Sequence, residues 1–163
     1  MIIRNVKDED IEKILEIYNY YIENTTITFE EQKLTIAAFK QRVERITKSY
    51  PYIVAEENGE VLGYAYLDVF NTRAAYKITA DLSVYLDKDK RGNGVGGLLL
   101  NELFKLAPDY GIENVVSIIT SENSRSLEFH KKLGFQVVGR LDNIARKFGK
   151  DLGVTYCLKR ING

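Results

Sequence analysis

The chain has 163 residues, with 23 basic and 23 acidic side chains and a formal net charge of zero, so the net positive field that would gather nucleic acid is absent. Its 45% hydrophobic content supports a single globular domain spanning 1–163, and no apolar run approaches the roughly eighteen residues of a membrane span. Met1-Ile2-Ile3-Arg4 leads directly into a charged amphipathic segment with no signal-like stretch, so a soluble cytoplasmic protein with no membrane partner is expected.

In chain order, the pattern predicts a short strand over Ile2–Arg4 and a helix from about Asp8 to Ile22. In that helix Ile11, Ile14, Leu15, Tyr18, Tyr21 and Ile22 fall at helical spacing, and Asp8 stands at the capping position. A second helix is predicted around Ile36, Phe39, Val43 and Ile46. Strands over Tyr52–Glu56 and Val61–Val69 flank Asn58-Gly59, a dipeptide suited to a hairpin turn. A strand over about Thr79–Leu86 is followed by an amphipathic helix carrying Val95, Leu98, Leu99, Leu103 and Leu106 on one face and stopping near Pro108–Gly111. A strand over Val115–Thr120, a short helix opening at Asn123, and closing strands over Phe135–Leu141 and Val154–Leu158 complete the series. The one cysteine, Cys157, falls in the apparent last strand, where a buried inert thiol is expected; it makes no internal disulfide and no metal cluster. This mixture of strands and helices suits an α+β fold, a single sheet with helices on both faces.

The most informative stretch runs from Val84 to Leu100. Gly92, Gly94, Gly96 and Gly97 lie between a strand and a helix start, beside Arg91. Glycines let backbone approach a ligand closely, and the first N–H groups of a helix point at whatever anion sits there. A nucleotide-hydrolysing P-loop needs Lys and then Ser or Thr after its last glycine, whereas Gly97 and Leu98 follow Gly96. The dinucleotide fingerprint is met by Gly92-Asn93-Gly94-Val95-Gly96-Gly97 in glycine spacing, but the run of βαβ units that should surround it is absent. Lys88, Lys90, Arg91, Arg125, Lys131 and Lys132 supply local positive charge around the turn, or form a solvated face. Gly134, after Leu133, has a structural account as a left-handed residue ending a helix.

The pattern Arg91-x-x-Gly94-x-Gly96, after a strand ending Val84-Tyr85-Leu86, resembles the acetyl-coenzyme A signature of the GNAT superfamily of N-acetyltransferases. Asn123-Ser124-Arg125-Ser126 running through His130 to Gly134-Phe135 resembles the motif that follows it in that superfamily. Further segments resemble the phosphinothricin acetyltransferase group and its relatives that acetylate methionine sulfoximine or sulfone. They are Ile17-Tyr18-Asn19-Tyr20-Tyr21-Ile22, Thr25-Thr26-Ile27-Thr28-Phe29-Glu30-Glu31, Pro51 to Glu56, Gly63-Tyr64-Ala65-Tyr66, Arg73-Ala74-Ala75-Tyr76, Thr79 to Tyr85 and Lys147-Phe148-Gly149.

The resemblance implies a GNAT-like fold: a mixed, mostly antiparallel twisted sheet with a splayed central strand pair. It also implies acetyl transfer from acetyl-CoA, without a metal, to the α-amine of a small amino acid or analogue by direct attack through a tetrahedral intermediate. A homodimer is implied as well. The residues matching the cofactor motif are Val84, Leu86, Arg91, Gly92, Asn93, Gly94, Val95, Gly96, Gly97, Asn123 and Ser126. Asp81 matches a family glutamate and is the candidate general base, acting directly or through water. His130 stands where many members have a tyrosine, either protonating the leaving thiolate or packing the pantetheine arm. Arg73 matches a position that pairs with the substrate carboxylate, Tyr76 an adjacent aromatic contact, and Phe29 a wall of the pocket. The family often continues Lys-Phe-Gly with Trp and then Asp; Lys150-Asp151-Leu152-Gly153 departs from this and leaves side-chain specificity open. Two other readings stand beside the first: acetylation of a protein or peptide amine, and a non-catalytic acetyl-CoA sensor.

Overall fold

In the computed structural model, which describes residues 1–161, the elements run β1 (Ile2–Asn5), α1 (Ile11–Asn24), α2 (Ile36–Thr47), β2 (Tyr52–Glu57), β3 (Glu60–Val69), β4 (Thr79–Leu86), α3 (Val95–Leu106), β5 (Asn114–Thr120), α4 (Ser124–Lys132), β6 (Gln136–Lys147) and β7 (Lys150–Arg160). The described strands form one sheet in the order β1-β2-β3-β4-β5-β7-β6, antiparallel at every junction except β4 with β5.

Period-two alternation sorts the side chains into two cores. Ile53, Ala55, Ala65, Leu67, Ala80 and Leu82 turn to one face, where Leu99, Leu100 and Leu103 of α3 cover them. Tyr52, Val54 and Tyr64 turn to the other, against Ile14, Tyr18 and Ile22 of α1 and Phe39, Val43 and Ile46 of α2. The sheet therefore carries helices on both faces, as the sequence predicts. The β2–β3 hairpin turns at Asn58 (φ 52°) and Gly59 (φ 80°), the pair of left-handed residues a tight hairpin requires.

Several expectations are corrected. Asp8 does not cap α1: residues Asp8–Asp10 form a separate 3₁₀ turn. The carboxylate of Asp10 accepts from Lys7 N at 2.7 Å and from both terminal nitrogens of Arg4 at 2.8 Å. Leu98 is exposed; the buried stripe of α3 is Val95, Gly96, Leu99, Leu100 and Leu103. The closing strands are much longer than predicted, because they continue to a tight turn at Phe148 (φ 54°) and Gly149 (φ 70°).

One departure from sheet regularity positions everything that follows. β4 and β5 pair only at Thr79 with Asn114, Ala80 with Val115 and Asp81 with Val116. Beyond Asp81 the two strands diverge, while the other edge of β4 stays paired with β3 as far as Leu86. The backbone of Leu82–Leu86 thus faces a wedge rather than a neighbouring strand.

Candidate active site

The wedge opens into a groove of about 280 Å³ lined by Val84, Tyr85 and Leu86 of β4, the loop before α3, and the start of α4. Gly92 (φ 88°) and Gly94 (φ 79°) adopt backbone conformations that a side chain would strain, and Gly94 is the residue from which α3 springs. The first N–H groups of α3 have no partner within the helix, and Gly94, Gly96 and Gly97 at that helix start line the groove together with Arg91 and Arg125, which add positive charge. Gly96 keeps α3 close to α4: a Cβ there would lie 3.0 Å from Phe129 Cζ.

Of the residues expected to hold a cofactor, Val84, Leu86, Arg91, Gly92, Gly94, Gly96, Gly97, Asn123 and Ser126 line this one groove. Two do not. Val95 is 1% exposed and its side chain belongs to the core, so only its backbone can take part. Asn93 sits in the exposed loop outside the lining. Asn123 also has structural work: its Oδ1 accepts from Ser126 N at 3.2 Å and caps α4. Tyr21, Ile27 and Phe129 line the groove without having been singled out as site residues. Tyr21 was legible as an apolar helix position within a family-like segment, with no site role attached, yet its hydroxyl donates to Leu86 O at 2.5 Å and ties the end of β4 to α1.

His130 does not face the groove. Its ring is 2% exposed, edge-on to Phe135 at 4.9 Å. Its Nδ1 lies 2.7 Å from the Ser126 carbonyl, which can only accept, so Nδ1 carries the proton and Nε2 accepts from Ser117 Oγ at 2.9 Å. Burial pulls its pKa down, with the Ser126 carbonyl opposing. A neutral imidazole with both nitrogens occupied and no face on the groove corrects the acid expectation, and its ring packs on Phe135 in the core rather than along the groove.

Asp81 stands at the fork itself, the last position at which β5 pairs with β4. It lies three residues, about 10 Å of strand, from the groove residue Val84. Its carboxyl is pushed up from 3.8 to about 7, first by burial and then by the negative charge of Asp68, with the Leu82 N–H opposing. On the same face lies a stack of buried tyrosines, with Tyr52 and Tyr66 parallel at 4.7 Å and Tyr18 edge-on to Tyr85 at 5.0 Å.

Phe29 is half-buried in the α1–α2 connection, and both of its neighbours are pinned. Thr28 O accepts from the buried Lys147 Nζ at 2.8 Å. Glu30 accepts from Tyr18 Oη and from two nitrogens of Arg42 at 2.8 and 3.0 Å. Burial raises the Glu30 carboxyl, but Arg42 and Tyr18 outweigh it and hold the pKa below the ordinary value. Arg73 and Tyr76 lie exposed at the 3₁₀ turn Ala74–Ile78 that feeds β4, at the Asp81 end and away from the glycine loop.

Residues 3–153 match the family model described as an acetyltransferase (GNAT) domain, and the chain belongs to that family of acyltransferases. It is 35% identical to the L-methionine sulfoximine/L-methionine sulfone acetyltransferase of Pseudomonas aeruginosa, over 94% of this chain and 91% of that one. It also resembles the phosphinothricin acetyltransferase of Sinorhizobium meliloti in complex with acetyl-CoA, at 32% identity and TM-score 0.94, covering 98% of this chain and 87% of that one. The ribosomal-protein-alanine N-acetyltransferase of Brucella melitensis superposes with TM-score 0.95 at 30% identity, covering 98% of this chain and 99% of that one.

Proposed function

We propose that this chain moves the acetyl group of acetyl-CoA to the α-amine of a small amino acid or amino-acid analogue, with Asp81 as the base. The observation that carries the reading is the pairing of an anion-binding groove with a carboxyl of pKa about 7 at the fork where β4 and β5 part. The N–H groups opening α3, with Arg91 and Arg125, suit the cofactor's phosphates. The unpaired edge of β4 suits an extended amide-bearing arm, which would run toward Asp81 and carry the thioester to the fork.

Near neutral pH a free amino acid is mostly ammonium, and only the unprotonated amine attacks a carbonyl. Asp81, directly or through one water, takes one proton from the ammonium, and the lone pair so freed forms the N–C bond. The carbonyl oxygen gains negative charge, and a backbone N–H near Val84 is the candidate donor to it. When the intermediate collapses, the C–S electron pair leaves with sulfur, which takes up the second proton that the nitrogen sheds. His130 takes no part beyond packing behind the groove. Arg73 suits the substrate carboxylate as a bidentate partner, with Tyr76 and Phe29 as the walls around its side chain.

The likeness to a ribosomal-protein-alanine acetyltransferase keeps a peptide amine as the second reading. The two part on a panel of methionine sulfone, methionine sulfoximine, phosphinothricin, free amino acids and an N-terminal alanine peptide, read as thiol release from acetyl-CoA. Release with a free amino-acid compound is expected; release with the peptide alone overturns the small-molecule reading. Asp81→Asn is expected to lower turnover by about 10²- to 10³-fold with acetyl-CoA affinity retained. Unchanged turnover would remove Asp81 as the base.

The same reading includes a homodimer. Edge strand β6 exposes Val138, Leu141 and Ile144, with Phe148 at its turn, an apolar strip suited to a second copy.

A further inference from the structure

We propose that Asp68, clamped by Arg45, is a positioning residue for the deprotonation step, and that its carboxylate keeps Asp81 able to take a proton from the acceptor amine. The proposal rests on the reading of Asp81 as the base and adds to it two residues that no motif marks.

The argument starts from register. Asp68 of β3 and Asp81 of β4 are directly opposed across an antiparallel pair, so both side chains leave the same face of the sheet with Cβ atoms about 5 Å apart. Like charges at that separation disfavour each other, and strands seldom hold them without a reason. Here one of the two is fixed. Arg45, on α2, donates from its two terminal nitrogens to the two carboxylate oxygens of Asp68 at 3.1 and 3.0 Å, and Val69 N donates to the same carboxylate at 2.7 Å. Three donors occupy the carboxylate of Asp68 and lock its rotamer. Asp81 receives only its hydrogen bond from the Leu82 backbone and makes no ion pair among the described residues. The proton that the pair can hold therefore resides on Asp81.

The other groups around Asp81 do not supply this bias. Tyr66 of β3 and Tyr85 of β4 are neutral phenols whose own ionisation is pushed upward, first by burial. On β5, Asp81 meets Val116. Arg42 of α2 is committed to Glu30, and Tyr18 of α1 to Glu30 and Thr28. Arg73, Tyr76 and Lys77 lie in the exposed turn before β4. Arg45 reaches Asp81 only through the carboxylate it grips, so its cation partly offsets the field of Asp68 and sets how strongly that field acts.

A carboxylate of ordinary strength is too weak a base to draw a proton from an ammonium, whereas one titrating near neutrality is matched to the task. The protons balance: the ammonium gives one H⁺ to Asp81 before its nitrogen bonds to the acetyl carbon and a second to the departing sulfur afterwards, and neither Asp68 nor Arg45 changes state.

The test is a carbon-13 carboxyl NMR titration of the whole protein, with the Asp81 resonance assigned by its disappearance in Asp81→Asn. In Asp68→Asn the Asp81 midpoint is expected to fall by about one pH unit, and in Arg45→Gln to rise. The acid limb of the kcat–pH profile is expected to move in the same directions, with acetyl-CoA affinity unchanged. An Asp81 midpoint that does not move in Asp68→Asn, or one that moves the same way in both variants, overturns the proposal in favour of a structural ion pair. Failure of the base reading looks different: Asp81→Asn would keep full turnover whatever the titration of Asp81 reports.

Discussion

Asp81 is held at a cost to the fold. Its carboxyl titrates near 3.8 when unfolded and near 7 when folded, so between those values the folded state holds the proton more tightly. Stability from this group is therefore greatest below about pH 4 and is lost as pH rises toward 7. Asp81→Asn removes the penalty: in urea denaturation it is expected to be more stable than the parent by about 4 kcal/mol at pH 8 and equal to it near pH 4. A variant less stable at both pH values would mean that the asparagine lacks the contacts of the acid. The glycine loop was legible in the sequence because a strand, a turn and a helix start carry it within one short stretch, whereas Asp81 stood out only through its match to a family glutamate. Asp68 was not legible, because its partnership depends on the register of β3 against β4 and on a helix 23 positions earlier in the chain. His130 shows the converse. Its nearness to the cofactor motif suggested a role at the reacting sulfur, but the phase of α4 turns the ring inward to Ser117 and Phe135.

At the scale of elements, the clearest gap between sequence and structure is the β6–β7 hairpin. β6 is exposed along nearly its whole length, and Arg140, Asp142, Asn143 and Arg146 interrupt any alternation that would mark it as a strand. Its register comes from β7, which pairs with it on one side and with β5 on the other. The pairing skips from Leu141–Val154 to Ala145–Leu152, with Asn143 in a left-handed conformation (φ 55°) inside the irregularity. Gly153 sits against that bulge. A Cβ there would lie 2.6 Å from Leu141 O and 3.1 Å from Asp142 Cα, and backbone atoms cannot rotate away. Gly153→Ala is expected to lower stability by about 2–3 kcal/mol by urea denaturation, whereas Gly139→Ala on β6, with open space around its Cβ, is expected to change it by less than about 0.5 kcal/mol. Equal effects would show that the bulge yields. By contrast, β4 appears at the bounds the sequence predicts, Thr79–Leu86, since its alternating faces are both committed to cores.

At the scale of the whole molecule, the proposed dimer makes a specific demand on the surface. Leu141 and Ile144 are about half exposed on a strand of 12 residues whose outer edge has no partner in the sheet. Light scattering is expected to give the mass of two chains, and the double variant Leu141→Glu, Ile144→Glu the mass of one, with the far-ultraviolet spectrum unchanged. A parent mass near that of one chain sinks the dimer and leaves the transfer chemistry untouched. The helices cover both faces of the sheet but leave this edge bare, which is why composition alone carried no sign of it.

The sheet order has a consequence for how the chain becomes a protein at all. β7 is not an edge but an interior strand, with β5 on one side and β6 on the other. As residues emerge in synthesis, β2, β3 and β4 each pair with the strand made just before, while β5 finds only a three-residue foothold on β4 and β6 finds none. Both wait for residues 150–160. The molecule thus assembles as a finished half and a deferred half, and the boundary between them runs along the diverging strands. Pairings that span a long stretch of sequence are slow to form, and strands awaiting a partner are open to wrong ones. The line along which β4 and β5 part is therefore also the seam of folding.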